Sequence, residues 1–206
     1  MKLYFVRHGE SEANTLRVIS NRESSFGLTA LGKQQAAILA DRLKDIPFTA
    51  IFSSPILRAR ETAEILAQSF HLPYQITEAL REYDCGLLEE KSDEESWKLH
   101  GEIAEDWTLN HNHLRKPEGG ENFLEIKKRF IPFIQSFTQN GLHAEAHILL
   151  VSHGGLLQLM LPEIFINIDH AFVRSHGIGH TQCIIAEQKP HGLACLQWGN
   201  VQLNDM

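Results

Sequence analysis

Cysteine is scarce in this chain. Its 206 residues carry three, Cys85, Cys183 and Cys195, odd in number and far apart. A disulfide framework or a cysteine-based zinc site needs paired or clustered cysteines, so neither is expected, and a reducing, cytoplasmic location is. Positive charge is in deficit: 19 Lys and Arg against 26 Asp and Glu leave a formal charge of −7. That balance speaks against general nucleic-acid binding. A phosphate-bearing substrate stays compatible, because a few local cations set the potential inside a cleft. No apolar run approaches the ~20 residues of a membrane span. Met1-Lys2-Leu3 leads straight into a strand-like segment, so no signal peptide is expected. No repeat, low-complexity tract or linker divides the sequence. Residues 1–206 therefore read as one domain with a substantial core.

Two short runs stand out. Leu3-Tyr4-Phe5-Val6 is apolar and rich in strand formers, and Arg7-His8-Gly9-Glu10 follows at once. Ala146-His147-Ile148-Leu149-Leu150-Val151 is followed in the same way by Ser152-His153-Gly154-Gly155. Two buried strands ending in His-Gly bring two imidazoles to one carboxyl edge of a sheet, where open α/β folds place their sites. His8 is then a candidate nucleophile and Arg7 a candidate anion clamp. Gly9, without a Cβ, permits a sharp turn and close approach of a ligand. Taken singly, each has a plain alternative: Arg7 pairs with a structural carboxylate, and His8 is a hydrogen-bonded core histidine.

The rest of the chain supplies a frame. Ser11 to Ile19 reads as a short helix or ordered loop. Thr29 caps a helix with Leu31, Ala36, Leu39 and Leu43 on its apolar side, stopped near Pro47. Ala50-Ile51-Phe52 is a strand, and Ser54-Pro55 opens the next helix, with Ala59, Ala63 and Leu66 buried. Tyr74-Gln75-Ile76 is a short third strand. Residues 84–120 form an insertion, part of a cap, in which Trp97, Ala104 and Trp107 recur at helical spacing. A strongly periodic helix follows from Phe123, and Pro132 should kink it or end it early. Cys183-Ile184-Ile185-Ala186 and Leu193-Ala194-Cys195-Leu196 flank a turn and predict a closing hairpin. The pattern predicts a three-layer α/β/α fold with a mostly parallel central sheet and a small helical cap.

The ordered motifs resemble the histidine phosphatase superfamily, which includes the phosphoglycerate mutases. They are Arg7-His8-Gly9-Glu10 with Asn14, Leu28-Thr29-Ala30-Leu31-Gly32, Ser53-Ser54-Pro55 through Arg58 to Ala63, Leu80-Arg81-Glu82, and Ser152-His153-Gly154-Gly155. The resemblance implies that His8 is the nucleophile and becomes a phosphohistidine. Arg7, Asn14, Arg58 and His153 would then bind the phosphoryl group, with backbone N–H groups added after Gly154. Glu82 would be the proton donor, which requires burial to raise its pKa. Alone, Arg58 reads as a surface helix residue and Glu82 as a surface partner of Arg81 or Lys91. Glu10 is assigned no chemistry.

The implied activity is phosphomonoester hydrolysis on a small phosphorylated substrate, without metal or cofactor. The alternatives are a cofactor-dependent phosphoglycerate mutase and a non-catalytic, regulatory phosphate binder. His111/His113 and His176/His180 have two-ligand spacing, but no cysteine or aspartate completes either set. Three stretches depart from the family's usual pattern: Ser24 to Thr29, Tyr83 to Lys91, and His180, where relatives often have Asn. A short cap and a brief closing stretch, Val201 to Met206, leave water a path to His8 and favour the hydrolase.

Overall fold

The computed structural model describes residues 1–22, 25–138 and 145–203. Its centre is a seven-stranded sheet. β1 (Lys2–Arg7), β2 (Ala50–Ser53), β3 (Tyr74–Ile76) and β4 (His147–Ser152) run parallel, and β5 (Cys183–Lys189), β6 (Gly192–Trp198) and β7 (Val201–Gln202) complete it in the order β3-β2-β4-β1-β5-β6-β7. The sheet is mixed, which corrects the expectation of a mostly parallel one: β5 is antiparallel to β1, β6 to β5 and β7 to β6. The physical reason lies in the connections. Helical crossovers return the early strands parallel, whereas a tight turn can only join antiparallel neighbours. The hairpin then lays its first strand on the free edge of β1 in the opposite sense.

The apolar runs are continuous because the parallel strands are covered on both faces. Leu3 and Phe5 of β1, with Ile148 and Leu150 of β4, join one core cluster, whereas Tyr4, Val6, Leu149 and Val151 join the other. α2 (Ala30–Leu43) and α3 (Leu57–Phe70) supply Leu39, Ala40, Ala63 and Leu66 to the second cluster. α4 (Glu94–Thr108), α5 (Phe123–Thr138), α6 (Gly154–Met160) and α7 (His170–Ser175) pack Ile103, Phe130, Leu157 and Val173 into the first. α1 (Glu12–Leu16) is a short helix just after the first strand.

Several local readings change. Leu31 is 49% exposed; the buried stripe of α2 starts one residue later, at Gly32. Ser54 does not cap α3, whose N-cap is Ile56; its hydroxyl accepts from the Ile56 N–H at 3.2 Å instead. α5 runs through Pro132 to Thr138. Pro132 and Lys128, four residues earlier, are both exposed, so the proline sits on the outer side of the helix, away from the core. α7 and β7 have too few apolar residues to announce themselves. β7 pairs on the outer edge of the hairpin, and the closing residues 204–206, like Ser24, lie outside the described residues. Among the described residues no helix is long and apolar enough to cross a membrane.

Candidate active site

Strand register assembles the site. Arg7 pairs with Ser152 and Ser53 with Val151, so β1, β4 and β2 end level with one another. The His8 N–H donates to the Ser152 carbonyl at 3.0 Å and the Ser54 N–H to the Val151 carbonyl at 3.0 Å. Each strand thus hands over its next residues, His8, His153 and Ser54, at one edge. α3 starts there and turns Arg58 inward. His8 is 3% exposed, Arg58 4% and His153 not at all. Two of the plain alternatives fail: Arg58 is no surface residue, and Arg7 forms no ion pair among the described residues.

Hydrogen bonds set the state of His8. Its Nδ1 lies 2.7 Å from the Gly9 carbonyl, which can only accept, so Nδ1 carries the proton. Nε2 is then a bare lone pair, and Arg58 Nε donates to it at 3.0 Å. Burial, then the Arg58 charge, pushes the His8 pKa well below its ordinary 6.5. His153 is held neutral in the same way, by burial, Arg58 and His8. The two rings are 5.1 Å apart, edge to face. Ser54 Oγ is 2.7 Å from His153 Nε2; with the serine donating, the imidazole proton sits on Nδ1.

Three buried side-chain nitrogens have no hydrogen-bond partner among the described residues: Arg7 Nε, Arg58 Nη1 and His153 Nδ1. Each belongs to a residue flanking His8. An unpaired buried donor costs about 1–3 kcal/mol, and an anion placed beside His8 could accept from all three. Burial brings Arg58 down to about 10, which leaves it charged near neutral pH. The rest of Arg7 is fixed: Nη1 donates to the Ile178 carbonyl at 2.7 Å, and Nη2 is 3.1 Å from His180 Nε2.

Glu82 is 6% exposed. Ser152 Oγ holds its turn to β4 by donating to the Leu80 carbonyl at 2.8 Å, and Arg129 of α5 donates to the Glu82 carbonyl at 3.4 Å. The alternative, a surface pairing of its carboxylate with Arg81 or Lys91, is not found among the described residues; Arg81 pairs with Glu78 and Glu121 and donates to the Glu82 main-chain carbonyl at 3.3 Å. The carboxylate accepts from the Tyr83 N–H at 3.1 Å and the Gly155 N–H at 3.0 Å. Burial outweighs these contacts and the Arg58 charge, and raises its pKa.

The cleft encloses about 260 Å³, and Arg7, His8, Asn14, Arg58, Glu82 and Gly154 line it. His153 packs against His8 of this lining, with ring centroids 5.1 Å apart. Asn14 Oδ1 accepts from the Ser11 N–H and hydroxyl, at 3.1 and 2.9 Å, and lies 3.1 Å from His180 Nε2. Two glycine readings shift. A Cβ on Gly9 would come within 2.5 Å of the Gly32 carbonyl, so Gly9 serves helix packing before ligand approach. The Gly155 N–H is spent on Glu82, and Gly154 sits with its Cα against Arg7, 3.2 Å from Nε to an added Cβ.

Sequence reasoning missed the supports. Thr62 Oγ1 accepts from the Gly9 N–H at 3.1 Å and donates to the Arg58 carbonyl at 2.8 Å. Its signal was a polar residue one turn after Arg58, on the buried stripe of α3. Ser54, Ser152 and the cleft residues Tyr83, Trp97, His100 and Gln158 were not singled out as site residues either. Glu10 holds α2 in place, accepting from Thr29 Oγ1 at 2.8 Å. Among the described residues no three His, Cys, Asp or Glu side chains cluster to hold a metal ion.

The chain is similar to known proteins in both sequence and fold. The chain is 34% identical over 170 residues to a probable phosphoglycerate mutase, GpmB, of Escherichia fergusonii, covering 80% of this chain and 74% of that one. Its structure is similar to YhfR of Bacillus stearothermophilus, with 29% identity, a TM-score of 0.80 and 98% of each chain covered. The fold also matches a mycobacterial glucosyl-3-phosphoglycerate phosphatase in complex with VO3, at 21% identity, TM-score 0.82, and 96% and 98% coverage. The profile of the histidine phosphatase superfamily, branch 1, spans residues 3–201, and this chain belongs to that superfamily.

Proposed function

We propose that this protein is a metal-independent phosphomonoester hydrolase working through a phosphohistidine on His8. The observation that carries the reading is the set of three unpartnered buried nitrogens around a neutral imidazole. Arg7 Nε, Arg58 Nη1 and His153 Nδ1 supply donors to the phosphoryl oxygens, where charge builds in the transition state. Arg58 Nε caps the His8 lone pair until substrate arrives, then passes its hydrogen bond to a phosphoryl oxygen. Nε2 attacks phosphorus, and the bond to the ester oxygen breaks. The leaving oxygen takes the proton of Glu82, whose pKa burial raises above the ordinary carboxylate value. In the second step the Glu82 carboxylate takes a proton from water, whose oxygen attacks phosphorus. The P–N bond breaks, and orthophosphate and neutral His8 remain.

On this reading residues 1–206 act as one domain, with 84–120 as a cap over a small phosphorylated substrate. Three buried free thiols suit a reducing cytoplasm. The mutase reading draws on the relative named as a probable mutase. The cleft lining supports hydrolysis: among the described residues its arginines are Arg7 and Arg58, both assigned to the phosphoryl group, and no lysine lines it to hold a glycerate carboxylate. Incubation with 3-phosphoglycerate separates the two. Hydrolysis predicts free phosphate well in excess of 2-phosphoglycerate, with no requirement for a bisphosphate primer. Isomerisation faster than release, strengthened by bisphosphoglycerate, would establish the mutase. No turnover of any phosphomonoester, an activated aryl phosphate included, would leave only a binder.

A further inference from the structure

A second chamber of about 360 Å³ adjoins the active-site cleft. The two share Tyr83, His100, Gly155 and Gln158 in their walls. Tyr83 and His100 form the partition: the phenol oxygen lies 2.7 Å from His100 Nε2, tying α4 to the turn that carries Glu82. Beyond it the walls are mostly carbon, from Ala104, Leu159 and Val173. At the mouth stand Arg174 on α7 and Glu105 on α4, both exposed. Arg174 has no hydrogen bond or ion pair among the described residues, and it does not pair with Glu105 across the chamber. His170, also in the wall, is engaged with Glu163 at 2.9 Å.

The position of Glu82 decides which part of a substrate reaches this space. Its carboxyl must touch the ester oxygen, and the Gly155 N–H is 3.0 Å from it. Gly155 belongs to both chambers, and a Cβ there would fall 2.7 Å from the Tyr83 ring. Only glycine lets the Tyr83 ring and the Glu82 carboxyl pack this closely on the boundary between the two spaces. The leaving group therefore starts at the boundary between the two spaces. An acid group close to the phosphate finds no spare cation in the first cleft, since burial holds His100 neutral, with its pKa lowered to about 4. In the lining of the second chamber the arginine is Arg174.

We propose that the second chamber is the leaving-group site, and that it selects phosphomonoesters of an extended alcohol with an apolar middle and an anionic far end that meets Arg174. This rests on the hydrolase reading above. The test measures kcat/KM for short- and medium-chain alkyl phosphates, each with and without a terminal carboxylate, beside p-nitrophenyl phosphate. The medium chain with a carboxylate should be the best of the alkyl series. Arg174→Ala should cut the preference for the carboxylated over the plain medium chain about tenfold, the scale of one lost charged hydrogen bond. Glu105→Gln, which removes the opposing charge, should raise the same preference. Ala104→Trp, which fills the chamber, should abolish the advantage of the medium chain over the short one. Turnover of p-nitrophenyl phosphate with no chain-length or carboxylate preference, or an Arg174→Ala loss equal on all substrates, would overturn the leaving-group site alone. No turnover of any of them would overturn the hydrolase reading and this one with it.

Discussion

The two ends of the cleft are built from different material. At the phosphoryl end, Arg7, His8 and His153 sit on or next to β1 and β4, whose pairing sets their spacing. At the other end the walls are Trp97 and His100 of α4 and Tyr83 on a turn, held by single side-chain bonds such as Trp97 Nε1 to the Arg17 carbonyl at 2.7 Å. Strand register is shared by every residue of the sheet, so a shift of one position is opposed by the whole ladder. An inserted helix answers to fewer neighbours. On the proposed reading the contrast is a division of labour: the sheet edge holds the chemistry, and α4 with α7 shapes the choice of alcohol.

The largest effect that can break this division lies at the sheet edge. His8→Ala removes the phosphoryl acceptor and should lower turnover by at least about 10⁴-fold, as loss of a nucleophile does elsewhere. Circular dichroism should show the fold retained. Substantial residual turnover would mean that the chemistry is not held by β1.

Glu82 stands between the two ends, and its replacement should depend on the leaving group. Glu82→Gln is expected to slow alkyl phosphates by about 10²-fold and activated aryl phosphates much less, since good leaving groups need little protonation. An equal loss would mean that Glu82 positions and does not protonate. The pH profile sharpens the point. His8 must be neutral, and its lowered pKa puts the acid limb well below 6.5. Glu82 must be protonated in the first step, and its raised pKa puts the alkaline limb above the ordinary carboxylate value of 4.5. Activity therefore falls as pH drops through the first pKa and again as it rises through the second. Glu82→Gln should erase the alkaline limb and keep the acid one.

Much of this was legible from the residues. Leu3 to Val6 and Ile148 to Val151 announced strands buried on both faces, and the His-Gly endings announced their shared edge. Four of the residues singled out, Arg7, His8, Arg58 and His153, meet there. Strand direction was less legible: apolar runs such as Cys183 to Ala186 look the same in a parallel or an antiparallel neighbour, so the mixed sheet stayed hidden. Supports stayed hidden too. Ser54 read as a helix cap because its local pattern suits one, and only the register of β2 beside β4 brings it to His153. The second chamber lies between segments far apart in sequence, and no local pattern signals such a space.

The smallest effect is a null one. Excess chelator should leave kcat/KM unchanged within error, because on the proposed reading arginines and His153 do at this site what divalent ions do at others. Activity lost to chelator and restored by one ion would add a centre that neither end of the cleft provides.

The covalent intermediate is the most direct test of the whole account. Enzyme mixed with radiolabelled substrate and quenched rapidly without acid should carry label on His8, and peptide mapping should place it there. The account predicts a phosphohistidine that forms and decays at the rate of turnover and is missing from His8→Ala. Label on Glu82 or a cysteine, or phosphate release with no labelled enzyme, would contradict it.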